Sequence, residues 1–159
     1  MAMQRSARLE IRQGDLSDPR IADFLEAHMR DMRAVSPPES KHALDLDGLR
    51  RPEIDFWSMW QGLELVGCGA LKRLDEDHAE LKSMRIASVM RRRGAATCLL
   101  EFIFAEARRM GFDRMSLETG AMPFFAPARA LYERHGFTSC PPFADYRSDP
   151  NSVFMTRSL

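Results

Sequence analysis

Polar and apolar side chains alternate along Arg8-Leu9-Glu10-Ile11-Arg12, the period of a strand with one face buried, so a first strand is expected there. The period then changes. Ile21, Phe24, Leu25, His28, Met29 and Met32 recur at steps of three and four, which predicts a helix with Asp18 as its cap and Pro19 in its first turn. His28 on that face reads as a packed residue rather than a ligand. Pro37-Pro38 stops helical structure, leaving 36–42 as a loop and 43–49 as a short helix. The apolar runs 53–60 and 63–71 predict strands two and three, divided by Gln61-Gly62 as a hairpin turn.

Residues 79–86 read as a fourth strand, after which Ser88-Val89-Met90 leads into Arg91-Arg92-Arg93-Gly94-Ala95-Ala96. Apolar residues at Ala96, Leu99, Leu100, Ile103, Ala107 and Met110 then mark a helix. Gly111 provides its left-handed stop, and Phe112 is placed to pack back over the last turn. Met115, Leu117 and Thr119 alternate with polar neighbours in a fifth strand over 113–119. Pro127 opens a helix carrying Ala128, Leu131, Tyr132 and His135 on one side, and 137–142 with 152–157 are expected to form a last strand pair.

The junction at 91–96 has the physics of an anion site. A helix start leaves backbone N–H groups unpaired and carries about half a positive charge, which draws phosphate. Gly94, Ala95 and Ala96 let a ligand approach those donors, and Arg91, Arg92 and Arg93 add fixed charge, so a diphosphate fits. Neither a Gly-x-x-x-x-Gly-Lys-Ser/Thr loop nor a Gly-x-Gly-x-x-Gly fingerprint occurs, which argues against nucleoside triphosphates and dinucleotides.

Composition narrows the partners. The 159 residues are expected to form one domain over 1–159. Lys plus Arg equals Asp plus Glu at 23 each, so no global field steers nucleic acid or a membrane, and the arginine cluster is a local feature. No signal-like or membrane-spanning apolar run occurs, and a cytoplasmic location is the default expectation. The four histidines and their acidic neighbours show no metal-site spacing, so no metal is expected. Cys68 and Cys98 sit among apolar residues as small buried side chains would; with Cys140 they are expected to be unreactive thiols. Met84, Met90, Met110 and Met115 are expected to fill gaps in the packing.

The pattern Arg91, two residues, Gly94, one residue, Ala96 resembles the pyrophosphate loop of GCN5-related N-acetyltransferases (GNATs). About forty residues on, Ala130-Leu131-Tyr132-Glu133-Arg134-His135-Gly136-Phe137 resembles the Tyr-x-x-x-Gly-Phe pattern that ends a later helix of that family. The chain is further similar to the bacterial YsnE-type acetyltransferases in Ser36-Pro37-Pro38-Glu39-Ser40, Lys82-Ser83-Met84-Arg85, Leu117-Glu118-Thr119-Gly120 and Pro142-Phe143-Ala144-Asp145-Tyr146. The resemblance covers essentially the whole chain.

It implies an α/β (α+β) GNAT fold: a mixed, mostly antiparallel sheet of six to seven strands, helices on both faces, and strands four and five splayed. It implies acetyl-CoA as co-substrate, its diphosphate held by Arg91, Arg92, Arg93, Gly94, Ala95 and Ala96 and its pantetheine arm by backbone of Met84, Arg85 and Ile86. Tyr132 matches the tyrosine that gives a proton to the departing thiolate. Glu80, or Glu118 through a water, is implied as base, and Glu39 and His42 border the acceptor groove. No cysteine sits beside a histidine as a covalent acetyl-enzyme requires, so direct attack in a ternary complex is expected. The acceptor is expected to be the amine of a small molecule or amino acid, with a protein terminus or lysine as alternative, and a catalytically silent acyl-CoA-binding regulatory module as the reading from another class. A homodimer through 141–150 is a further expectation. Two positions depart from the family pattern: Ala96 stands for the loop's last glycine, and Phe125 for an asparagine seven residues before the tyrosine.

Overall fold

Three antiparallel pairings in chain order build one half of the sheet. The structure, a computed structural model, describes residues 8–35, 46–90 and 94–159. In it β1 (Leu9–Gln13) pairs with β2 (Ile54–Gln61), β2 with β3 (Glu64–Arg73), and β3 with β4 (His78–Ile86). The second half pairs β5 (Arg114–Gly120) with β7 (Ser152–Ser158), and β7 with the two-residue β6 (Thr138–Ser139). Between the halves β4 and β5 run parallel, giving the order β1-β2-β3-β4-β5-β7-β6. Mixed topology and strand count match the α+β architecture that the resemblance implied.

Helices cover both faces. The apolar stripe of α3 (Ala95–Arg109) buries Leu99, Leu100, Ile103, Phe104 and Ala107 against Ala79, Leu81, Met115 and Leu117. Each fully buried leucine or isoleucine there contributes about 1.5–3 kcal/mol of hydrophobic free energy. On the opposite face, Ile21 and Leu25 of α1 (Pro19–Val35) and Leu49 of α2 (Leu46–Leu49) cover Phe56, Trp60, Cys68 and Ala70. Period-two alternation therefore points Ala79 and Leu81 toward α3 and leaves Glu80 and Lys82 on the other side. That division positions the polar site.

Local signals explain the boundaries. The Asp18 carboxylate accepts the Arg20 N–H at 2.9 Å and so caps α1. Gly111 ends α3 with φ 93°, and the Phe112 N–H returns to the Ala107 carbonyl at 3.0 Å. The hairpin turn falls on Gly62-Leu63, one residue later than expected, because Gln61 still pairs with Glu64 and the positive φ of 61° falls on Gly62. The last strand pair is also shorter than 137–142. After the Cys140 N–H bonds the Phe154 carbonyl, Pro141 and Pro142 have no N–H to extend the ladder. Cys98 corrects another expectation: it is exposed, since its apolar sequence neighbours point to the other side of α3, whereas Cys68 is buried. The expected loop 36–42 with Glu39 and His42, the first residues of the short helix, and Arg91, Arg92 and Arg93 lie outside the described residues.

Two features set the geometry between β4 and β5. Opposite Gly69, β4 carries an extra residue at Ser83-Met84, with Ser83 at φ 54°. Such a bulge bends its strand. The β4–β5 pairing stops at Leu81 opposite Leu117, yet β4 continues on β3 to Ile86 and β5 on β7 to Gly120. The two strands therefore part in a wedge.

Candidate active site

One side of the wedge is backbone. From Lys82 to Ile86, β4 has β3 on one edge and, among the described residues, no strand on the other, so its outward N–H and C=O groups face the gap. Met84, Arg85 and Ile86 lie in this stretch. The Arg85 side chain turns away from it, bonding Asp31 at 2.8 Å and approaching His28 at 3.4 Å on α1. His28 is thus a polar contact between α1 and β4, and burial, aided by Arg85, lowers its pKa to about 4.

At the mouth of the wedge α3 begins. Gly94 takes φ 77°, ψ 3°, and no side chain of the described residues caps the helix. The N–H groups of its first turn have no intrahelical acceptors. A Cβ placed on Gly94 would meet nothing within 4 Å among the described residues, which leave the approach to those donors open. Ala95 is buried in the core, which leaves backbone rather than side chain at this end of the helix. Uncapped donors, an open approach and the positive end of a fifteen-residue helix fit a diphosphate.

The other side of the wedge carries ionisable groups. Glu118 lies just past the last β4–β5 pair and accepts a hydrogen bond from the Ser152 hydroxyl at 3.1 Å. Burial raises its pKa to about 7, against the opposing effects of Ser152 and the Lys82 charge. Tyr132 is buried on α4 (Ala126–Arg134), with its ring edge-on to Phe137 at 5.7 Å. Burial and then the negative charge of Glu118 push its phenol well above the usual range. The same charge also acts on Tyr146 across the sheet. Glu118 is therefore the acidic group that communicates with both tyrosines.

The position of α4 depends on Phe125. Its ring presses on Gly120 so closely that a Cβ there would come within 2.0 Å of it. Arg129 secures the same junction, donating to the carbonyls of Gly120 at 2.6 Å and Met122 at 3.1 Å. The phenylalanine that stands for the family's asparagine thus packs the end of β5 under the helix that bears Tyr132.

Glu80 occupies a different setting. Its Oε2 accepts hydrogen bonds from Lys82 at 3.1 Å and from the Tyr146 hydroxyl at 2.6 Å, and Lys82 also donates to Tyr146 at 2.9 Å. The expected neutralisation by Lys82 is present. The Tyr146 contact was not anticipated; its one trace in the sequence was the Pro142-to-Tyr146 string. Phe143 and Phe154 hold the Tyr146 ring at 5.2 and 5.4 Å. Burial, followed by the Glu80 charge, keeps the Tyr146 hydroxyl protonated, so it donates to Glu80.

Over this cluster the loop 144–149 borders an open cavity of about 500 Å³ floored by Lys72, Glu80 and Lys82. Residues 144–149 of the segment expected to form a dimer surface line this pocket. Glu80 and Glu118 share one sheet face and reach the same region from the two halves of the sheet, while Tyr132 lies across the wedge.

Known proteins resemble this chain in sequence and in fold. The sequence profile of the acetyltransferase (GNAT) family matches residues 21–137. The chain is 52% identical to the uncharacterized N-acetyltransferase YsnE of Bacillus subtilis over 95% of its own length and 100% of the relative's. It is 47% identical to the uncharacterized N-acetyltransferase YedL of Escherichia coli over 94% of each chain. Its fold matches a GNAT family acetyltransferase of Elizabethkingia anophelis, solved with acetyl-CoA bound, with a TM-score of 0.67, 15% identity, and coverage of 95% of this chain and 98% of that one. A sheet parted between β4 and β5, a glycine-led helix at its mouth and relatives matched end to end lead to one assignment: the chain belongs to the GNAT family and is an N-acetyltransferase.

Proposed function

We propose that the protein moves the acetyl group of acetyl-CoA to the primary amine of a small molecule, in the cytoplasm, by direct attack while both substrates are bound. The observation that carries this reading is the place where the sheet divides. Beyond Leu81 and Leu117, β4 offers unpaired backbone on one side and β5 offers Glu118 on the other. When bound there, an acyl thioester supplies an electrophilic carbonyl and a thiol leaving group.

The residues divide the remaining work. The start of α3 holds the diphosphate, and N–H groups within Met84, Arg85 and Ile86 orient the carbonyl and favour negative charge on its oxygen. Glu118 accepts the proton of the acceptor ammonium. An amine with a pKa near 10 is mostly charged at neutral pH, and a carboxylate of pKa about 7 is a better base toward it than an ordinary one. Glu80, committed to Lys82 and Tyr146, shapes the acceptor pocket. Tyr132 donates to the departing sulfur and is restored by the second proton, which the nitrogen releases as the amide forms. The Glu118 charge helps to raise its pKa, so proton uptake by Glu118 removes that influence and makes Tyr132 a better donor as the sulfur leaves. A cavity of about 500 Å³ has the size of a small-molecule pocket, which favours such an acceptor over a protein terminus or lysine.

Incubation with acetyl-CoA across an amine panel is expected to release free thiol in an amine-dependent way. Coenzyme binding with no release on any amine would reduce the protein to an acyl-CoA-binding regulatory module. Tyr132→Phe is expected to lower kcat by about 10–100-fold with coenzyme affinity changed by less than about threefold. Equal loss of both would assign Tyr132 to packing alone.

A further inference from the structure

The cavity beside 144–149 is lined by three cations, Lys72, Lys82 and Arg147, and three carboxylates, Glu80, Asp145 and Asp149, but these are unequally paired. Lys82 is paired with Glu80 at 3.1 Å, and Asp149 accepts the Asn151 N–H at 2.8 Å. Lys72 and Arg147 also line the cavity, and neither has a hydrogen-bond or ion-pair partner among the described residues. Asp145 is the lining carboxylate in the same condition, so two uncommitted cations face one uncommitted anion. Lys72 is no loose surface lysine: it is half-buried, sits opposite Glu80 in the β3–β4 ladder, and borders a second hollow of about 320 Å³ that reaches Arg73 and His78.

We propose that the acceptor amine also carries a carboxylate, and that Lys72 and Arg147 are the residues that select it. This rests on the acetyl-transfer reading of the same pocket. A guanidinium presents paired N–H donors that match a carboxylate, and an ammonium adds a compact charge; the half-buried Lys72 acts more strongly than it would in open water, while the exposed Arg147 contributes its paired donors at the mouth. Lys72 on β3 and Glu118 on β5 stand two strand spacings apart, about 10 Å. A small zwitterion reaching between them has its carboxylate drawn toward β3 and its ammonium toward the wedge, where Glu118 takes the proton.

The test pairs the twenty protein amino acids, β-alanine and 4-aminobutyrate with their methyl esters, using acetyl-CoA and thiol release. Esterification removes the anion and lowers the amine pKa, so without recognition the ester is the better acceptor. At least one acid is expected to exceed its ester in kcat/KM by about tenfold or more, the size of one charge-assisted contact. Lys72→Met and Arg147→Met should each raise KM for that acid and pull the acid-to-ester ratio toward one, with Lys72→Arg restoring part of it. Esters equal to or better than every acid, or a ratio unchanged in the double methionine variant, would overturn the proposal. Should no amine be acetylated, titration of acids and esters into the coenzyme-saturated protein still decides: binding of an acid but not its ester upholds carboxylate selection and rejects transfer, and no preference rejects the selection.

Discussion

Glu118→Gln is expected to remove most turnover and, at the same time, to stabilise the protein above neutral pH. The carboxyl has an ordinary pKa of 4.5, and burial raises it to about 7 in the fold. Between those values the folded chain retains a proton that the unfolded chain has lost, so the contribution of Glu118 to stability falls as pH rises through that window. Glutamine does not titrate, so its advantage over wild type grows from about pH 5 and is complete above about pH 7. At about 1.4 kcal/mol per pKa unit, the shift from 4.5 to about 7 makes the gain at pH 8 about 3–3.5 kcal/mol, or about 6–14 °C in Tm for a chain of this size. Paired melts at pH 5 and pH 8 should show the gain at the higher pH alone. Loss of the base should lower kcat/KM by about 10²–10³-fold and erase a rate increase centred near pH 7. A variant retaining a third of the activity with the same pH profile would rule Glu118 out as the base. Glu80→Gln then becomes the variant to examine, although its carboxylate already serves Lys82 and Tyr146.

Gly94→Val is expected to weaken coenzyme binding by at least about 100-fold while the sheet and helices remain folded. At φ 77° the backbone is where glycine is comfortable and a side chain is strained. Holding an L-residue there costs about 1–2 kcal/mol, and a β-branched one more, so the thermal midpoint should drop by only a few degrees. The larger effect is on the ligand. A new Cβ would meet no atom of the described residues within 4 Å, and that space is the approach to the first-turn donors of α3. Calorimetry with coenzyme A reads the result directly: undiminished affinity would move the diphosphate away from this helix. Gly94→Ala should fall between the two.

The sequence announced its helices and central strands because their faces are buried in simple periods. Leu99, Leu100 and Ile103 mark α3 from a linear reading, and Gly111 marks its end. The parting of β4 and β5 was different, since both strands look continuous in the sequence. It came only with the family resemblance. Cys98 misled because apolar neighbours in sequence are not neighbours on a helix face. Glu80 and Glu118 were indistinguishable as glutamates on adjacent strands. Their roles separate through contacts 66 and 34 residues away, to Tyr146 and Ser152, which no local pattern encodes. The shortness of β6 was legible in Pro141-Pro142 but outweighed by the apolar run around it.

An unpaired strand edge ordinarily invites a second polypeptide and, with it, aggregation. The free edge of β4 is protected by its setting, because it lies inside the sheet and narrows to a closed apex at Leu81 and Leu117. A foreign chain with side chains at every residue would have to enter that taper end-on, whereas a slender, unbranched ligand can lie along it and take the place of the missing strand. The architecture keeps its adhesive backbone available to a small guest and closed to neighbouring proteins.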